Sequence, residues 1–241
     1  MVGFIQKLFG NKEEKPAPPV VPPIRVVQNS GHGQATPPVA HHAPPVQRRV
    51  VNARELQVND TLRMAICDCA GLSGKRFKVT SVSTYLFSQP SPTFALQGED
   101  GQRYFLSFSH EHDREYVTFI RPLLHREVGK LFRLEDLAQL FEEKEGEFAL
   151  ARKEELPHLT GWTAADYHLS IDALKGYFFS EDLREKEQEE FEGGEGLDHY
   201  LLLDPSHRFT LEVEVYDNGE PEVALGLRLP VSLVEQIRPS T

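Results

Sequence analysis

The stretch Thr93 to Arg121, TFALQGEDGQRYFLSFSHEHDREYVTFIR, constrains the fold of this chain more than any other. Phe94 and Leu96 alternate with small or polar residues and lead into Gly98-Glu99-Asp100-Gly101, whose glycines permit the positive φ angles of a tight reversal. Arg103-Tyr104-Phe105-Leu106-Ser107-Phe108 then runs back with the same period of two, so the segment predicts an antiparallel hairpin. Tyr200 to Val215 echoes it. Tyr200 and Leu202 lead into Asp204-Pro205-Ser206, and Arg208, Phe209, Leu211 and Val213 fall on Arg103, Tyr104, Leu106 and Phe108 when the returning strands are aligned. The repetition predicts two related β-modules.

A hydrophobic fraction of 39% over 241 residues is low for a chain folded from end to end, and proline shows where the deficit lies. Nine of the seventeen prolines fall between Pro16 and Pro45. They remove backbone donors and favour extended polyproline II over a packed core. Residues 11–49 therefore read as a disordered Pro-rich linker. Before it, residues 1–10 form a short amphipathic segment in which Phe4, Ile5, Leu8 and Phe9 supply apolar anchors, the candidate partner-binding residues. So short a helix orders only against something else: an anionic membrane surface met through residues 1–9, a groove on a protein partner, or the protein's own body.

After the tail the organisation is expected to be mainly β (α+β): a β-module at 50–126, a helical connector at 127–158 and a second β-module at 159–241, each module a small barrel or rolled sheet. Leu62, Met64 and Ile66 alternate like a strand, as do Phe77 to Tyr85. Leu131, Leu134, Leu137, Ala138, Leu140 and Phe141 change the period to that of a helix ending near Gly146. Ser180 is placed to cap another helix over the acidic run that follows. Asp217-Asn218-Gly219-Glu220 marks a further reversal, and Val231 to Ile237 a helical turn or a last strand.

Charge narrows the partners. The chain carries a net charge of −11, yet residues 1–54 hold seven basic residues against Glu13 and Glu14, so the body is strongly acidic. Such a body repels phosphates, and nucleic acid is excluded as its partner. Cys67 and Cys69, alternating on a strand, lack the geometry of a disulfide and suit a reducing cytoplasm. No run of about 18 apolar residues exists, so the location expected is cytoplasmic and peripheral at the membrane.

Catalytic signatures are missing: the chain has no Gly-rich phosphate loop, no GxSxG and no HExxH, and no cofactor is called for. The densest group of metal-ligand types is His110-Glu111-His112-Asp113. His110 and His112 share a strand face, and a site would need a third ligand such as His125 or Asp113; none is identifiable as such, and a solvated hairpin loop is the simpler reading. The sequence thus points to a non-enzymatic adaptor binding a protein partner. A metal-dependent enzyme or metal-binding protein using His110 and His112, and a structural subunit of a larger assembly, are the alternatives.

Leu72 to Val79 (LSGKRFKV), Tyr85, Phe94-Ala95-Leu96 and Gly101 to Ser107 (GQRYFLS) together resemble a bacterial domain of unknown function encoded beside phage-shock-type membrane-stress proteins. The resemblance covers about a third of the chain. It implies a small β-fold without assigned catalysis, and no functional residue carries over from it.

Overall fold

The computed structural model describes residues 53–69, 71–111, 113–142 and 147–240. Residues 1–10 and 11–49, expected from the sequence to be a docking segment and a Pro-rich linker, lie outside them. The strands are β1 (Thr61–Met64), β2 (Arg76–Leu86), β3 (Pro90–Gly98), β4 (Arg103–Glu111), β5 (Arg114–Pro122), β6 (Ala149–Ala151), β7 (Asp166–Phe179), β8 (Glu195–Leu203), β9 (Phe209–Tyr216), β10 (Pro221–Pro230) and β11 (Val234–Arg238). Two short helices, α1 (His125–Leu131) and α2 (Leu134–Ala138), follow β5.

The hairpin expected within Thr93 to Arg121 is β3–β4, and Gly101 takes the positive φ (79°) that its turn demands. Its echo is β8–β9, and each hairpin holds the second and third places in a four-stranded meander, β2 to β5 and β7 to β10. Tyr104 and Leu106 in one meander, and Leu211 and Val213 in the other, are all buried. The two modules expected from the sequence are not separate sheets. All eleven strands belong to one antiparallel sheet in the order β11-β1-β2-β3-β4-β5-β10-β9-β8-β7-β6. The last strands of the two meanders pair with each other (β5 with β10), and the first strands pair as well (β2 with β7), which closes eight strands into a ring.

Closure requires the sheet to bend. A register shift between Val79 and Ser81 kinks β2, and two more, flanking Ile171, kink β7. The first half of β2 then pairs with β1, while Thr84, Tyr85 and Leu86 pair with Phe179, Phe178 and Tyr177 of β7. The buried Thr84 hydroxyl fastens this seam, donating to the carbonyl of Glu181 (2.9 Å) and accepting from the N–H of Leu183 (3.0 Å).

Because residues directly opposite on antiparallel strands share a face, the register assigns the sheet's two surfaces. One row runs Phe94, Leu106, Phe119, Leu227 and Phe209 across five strands. This face is the core. Residues of α1, α2 and the turns around them (Val128, Leu131, Phe132, Leu137, Leu140) pack into the same apolar cluster, each large buried side chain stabilising by about 1.5–3 kcal/mol. The other face, one row of which is Ala95, Phe105, Ile120, Gly226, Thr210 and Leu203, turns toward the inside of the ring.

Two helical expectations are corrected. The connector is not one helix, because the chain breaks at Phe132, which is extended (φ −130°, ψ 155°) and buried against Tyr167. The Leu131 carbonyl, which a continuing helix would use, accepts instead from the N–H of Lys153 at 2.7 Å. The acidic run after Ser180 forms no α-helix, only one 3-10 turn at Gln188–Glu190. Arg184 pins it, binding the Asp182 carboxylate and the carbonyls of Arg54 and Leu56. Cys67 and Cys69 lie in the loop after β1, both free, with Cys69 buried.

Candidate functional site

The inner face of the ring lines a cavity of about 1160 Å³. All eight ring strands contribute to it, including Tyr85 (β2), Thr93 (β3), Ser107 (β4), Thr118 (β5), His199 (β8) and Glu214 (β9). Pockets for small ligands usually span about 300–1,000 Å³, so the space is ample. Its lining is mixed, with apolar Phe105, Ile120 and Leu201 beside an acidic group on β9 and β10, Glu212, Glu214 and Glu222.

Alternation on β9 sets this group: Leu211 and Val213 enter the core, so Glu212 and Glu214 must face the cavity. The Oε2 atom of Glu214 accepts two phenol hydrogen bonds, from Tyr85 at 2.9 Å and Tyr216 at 2.8 Å. Burial, and then the Glu214 charge, push both phenols well above their usual range, so they remain donors. The other oxygen, Oε1, is 3.6 Å from His199 Nδ1, beyond hydrogen-bond reach, and Nδ1 is buried with no hydrogen-bond partner among the described residues. Burial alone would lower the His199 pKa, but the carboxylates of Glu214 and Glu212 outweigh it and raise the value. The Glu212 carboxyl is raised chiefly by burial, with the Glu214 charge adding to it, although His199 and the Thr210 hydroxyl (3.2 Å) act the other way. Glu222 is exposed on its strand, and the partial enclosure of its carboxyl, followed by the charge of Glu214 directly opposite on the neighbouring strand, raises its pKa.

Aromatic rings wall this end. Phe178 meets Tyr85 at 5.1 Å and Tyr216 at 6.4 Å between centroids, and Phe87 covers His199 at 5.4 Å. At another point of the lining Arg228 is engaged twice, with Glu111 at 2.8 Å and over the Tyr116 ring at 3.8 Å.

The residues singled out from sequence are elsewhere. Phe4, Ile5, Leu8, Phe9 and His112 lie outside the described residues. His110 is exposed near the end of β4, and Asp113 occupies the β4–β5 turn with φ 61°. Among the described residues, no group of three or more His, Cys, Asp or Glu is arranged to hold a metal, and no helix is long and apolar enough to cross a membrane. The cavity residues gave one signal in sequence, the alternation Leu211-Glu212-Val213-Glu214, which reads equally as a strand with a solvent face. Comparison with family models, curated proteins and solved structures returned no match for this chain.

Proposed function

We propose that this protein is a non-enzymatic adaptor whose acidic, β-rich body binds a protein partner through the cavity of the ring. The N-terminal segment, through Phe4, Ile5, Leu8 and Phe9, docks on a membrane surface or a partner groove, and the Pro-rich linker sets the distance between the two attachments. One observation carries the reading for the body. The core is built from a single face of the sheet, so the opposite face, with its carboxylates, phenols and histidine, is available for binding.

The test compares the intact chain with three variants: one lacking residues 1–10, Leu8→Asp, and Ala224→Phe, which fills the cavity. Pull-down reads protein partners and liposome flotation reads lipid. Loss of partners in Ala224→Phe, together with loss of liposomes or of a second partner in the tail variants, is the expected pattern. If the tail variants keep every partner and the same liposome association as the intact chain, the docking segment has no such role. If Ala224→Phe keeps every partner, the cavity is not the binding surface.

A further inference from the structure

Register orders the cavity along its strands. Across β8, β9 and β10 one row is His199, Glu214 and Glu222, and the next is Leu201, Glu212 and Ala224. A third, Leu203, Thr210 and Gly226, continues through Ile120 to Phe105. Carboxylates therefore give way to apolar surface within about 7 Å, the distance between successive residues on one strand face.

The carboxylate end sets three glutamates against two cationic groups, His199 and Arg103. Glu214 and Glu222 are opposite each other in register, an arrangement that destabilises a sheet unless something offsets it. Of the arginines lining the cavity, Arg228 is held by Glu111 and Tyr116, Arg121 donates to the His158 carbonyl at 3.0 Å, and Arg103, which rides over the Phe105 ring at 5.0 Å, is the one whose charge acts on Glu222. His199 Nδ1 lies 3.6 Å from Glu214 Oε1 and makes no hydrogen bond among the described residues. The tyrosines occupy Oε2 of Glu214 only.

We propose that the cavity binds a protonated primary alkylamine, with its ammonium among Glu212, Glu214 and Glu222 and its carbon chain over Leu201 and Ile120. An ammonium is a compact charge with three donors and matches several carboxylates that have acceptor capacity to spare. An anion meets repulsion there, and a neutral alcohol leaves partly desolvated carboxylates uncompensated. The aromatic rings of Tyr85, Phe178 and Tyr216 wall the same end and favour a cation by their quadrupoles. Two sources share this chemistry, a free aliphatic amine and the lysine side chain of a protein partner. The assignment rests on the cavity being the binding surface.

Isothermal titration of the full-length protein tests it, using n-pentylamine, n-pentanol, pentanoate, and a short peptide with one central lysine beside its norleucine counterpart. Pentylamine is expected to bind at least tenfold more tightly than pentanol, and pentanoate not to bind. Glu212→Gln should weaken pentylamine at least tenfold, and Ala224→Phe, which keeps every carboxylate, should abolish binding while circular dichroism reports an intact fold. Glu235→Gln on β11, outside the cavity lining, should leave affinity unchanged. A lysine peptide that outbinds pentylamine and loses binding on norleucine replacement identifies a partner's lysine as the source, and the reverse order identifies a free amine. Equal binding of pentanol or pentanoate overturns the ammonium assignment and leaves the cavity as a binding surface. Absence of any amine or lysine binding to the folded parent also overturns it, and if Ala224→Phe still captures every partner, the binding surface falls with it.

Discussion

Gly176 is where the ring is most sensitive to a single methyl group. It precedes Tyr177 at the β2–β7 seam, and a Cβ built on it would come 2.4 Å from Phe87 Cδ1, 2.5 Å from Phe87 Cε1 and 2.9 Å from the carbonyl oxygen of Leu86. Carbon atoms rest at about 3.5–4.0 Å, so the ring would have to retreat by about 1 Å, and the carbonyl belongs to a backbone already paired across the seam. Phe87 is stacked on Tyr85 (6.0 Å) and tilted against His199 (5.4 Å), so moving it into the cavity it lines gives up both ring contacts. Overpacking of this kind costs about 1–3 kcal/mol. Gly176 is not at positive φ, so alanine also stiffens the unfolded chain and returns about 0.4–1 kcal/mol. The net expectation for Gly176→Ala is a loss of about 1–2 kcal/mol, or a melting temperature lower by about 2–8 °C for a fold of this size. Urea unfolding measures the loss, and amide exchange locates it: the amides of Thr84 to Leu86 and Tyr177 to Phe179 should exchange faster, with the β3–β4 hairpin unaffected. Adding Phe87→Ala should recover part of the stability. A Gly176→Ala protein as stable as the parent, with seam exchange unchanged, would refute the closed ring.

Three further outcomes follow from the same geometry. Gly226→Ala places a Cβ 2.0 Å from the hydroxyl oxygen of Thr210, a stiff β-branched neighbour, and should cost about 1–3 kcal/mol by denaturation; the double variant with Thr210→Ala should be less destabilised than the sum of the two single changes. Asp204 is buried, which alone would raise its pKa, but the Ser206 hydroxyl and the N–H groups of Phe209, Ser206 and Arg208 bond its carboxylate and lower it. Its stabilisation is therefore present above the ordinary carboxylate pKa and lost as pH falls through the lowered one; Ser206 is exposed and its donors can turn to water, so Asp204→Ala should cost about 1–3 kcal/mol in all, shown by urea titrations at pH 7 and pH 3. Glu212 has the opposite sign, because a raised pKa favours the protonated form and stability is lost as pH rises above about 4.5. Glu212→Gln should match the parent in acid and be the more stable protein at neutral pH, and equal melting curves at pH 4 and pH 8 would contradict this.

The strands were legible because each strand problem is local. Alternation in Phe94 to Phe108 and in Tyr200 to Val213, and the turns between, depend on neighbours a few residues away. The helix over 131–141 misled because Leu131, Leu134 and Leu137 do face the core at helical spacing, while a distant N–H, that of Lys153, takes the carbonyl that would continue the turn. Ser180 misled similarly, since Thr84, 97 residues from Glu181 in sequence, holds the segment that its cap would have started. The candidate site stayed hidden for a related reason. Glu212 and Glu214 read as a wet strand face, and only the Thr84–Phe179 pairing turns that face into a wall. Closure is a property of residues far apart, and it leaves no period in the sequence.

The pairing of β1 with β11 fixes the order in which the fold can be completed during synthesis. Leu62 and Ile237 are opposed in register, and the buried carboxylate of Asp60 accepts the N–H of Ser240 at 2.9 Å, so an early segment of the body waits for a late one. A nascent chain that has released β10 but still holds β11 in the ribosomal tunnel has the ring strands in hand and an unpaired edge on β1, a template for aggregation. Truncation after Pro230 should leave the chain permanently at that stage. Ribosome-bound chains stalled beyond and before residue 240 would differ in protease resistance at β1, while the β3–β4 hairpin would be protected in both.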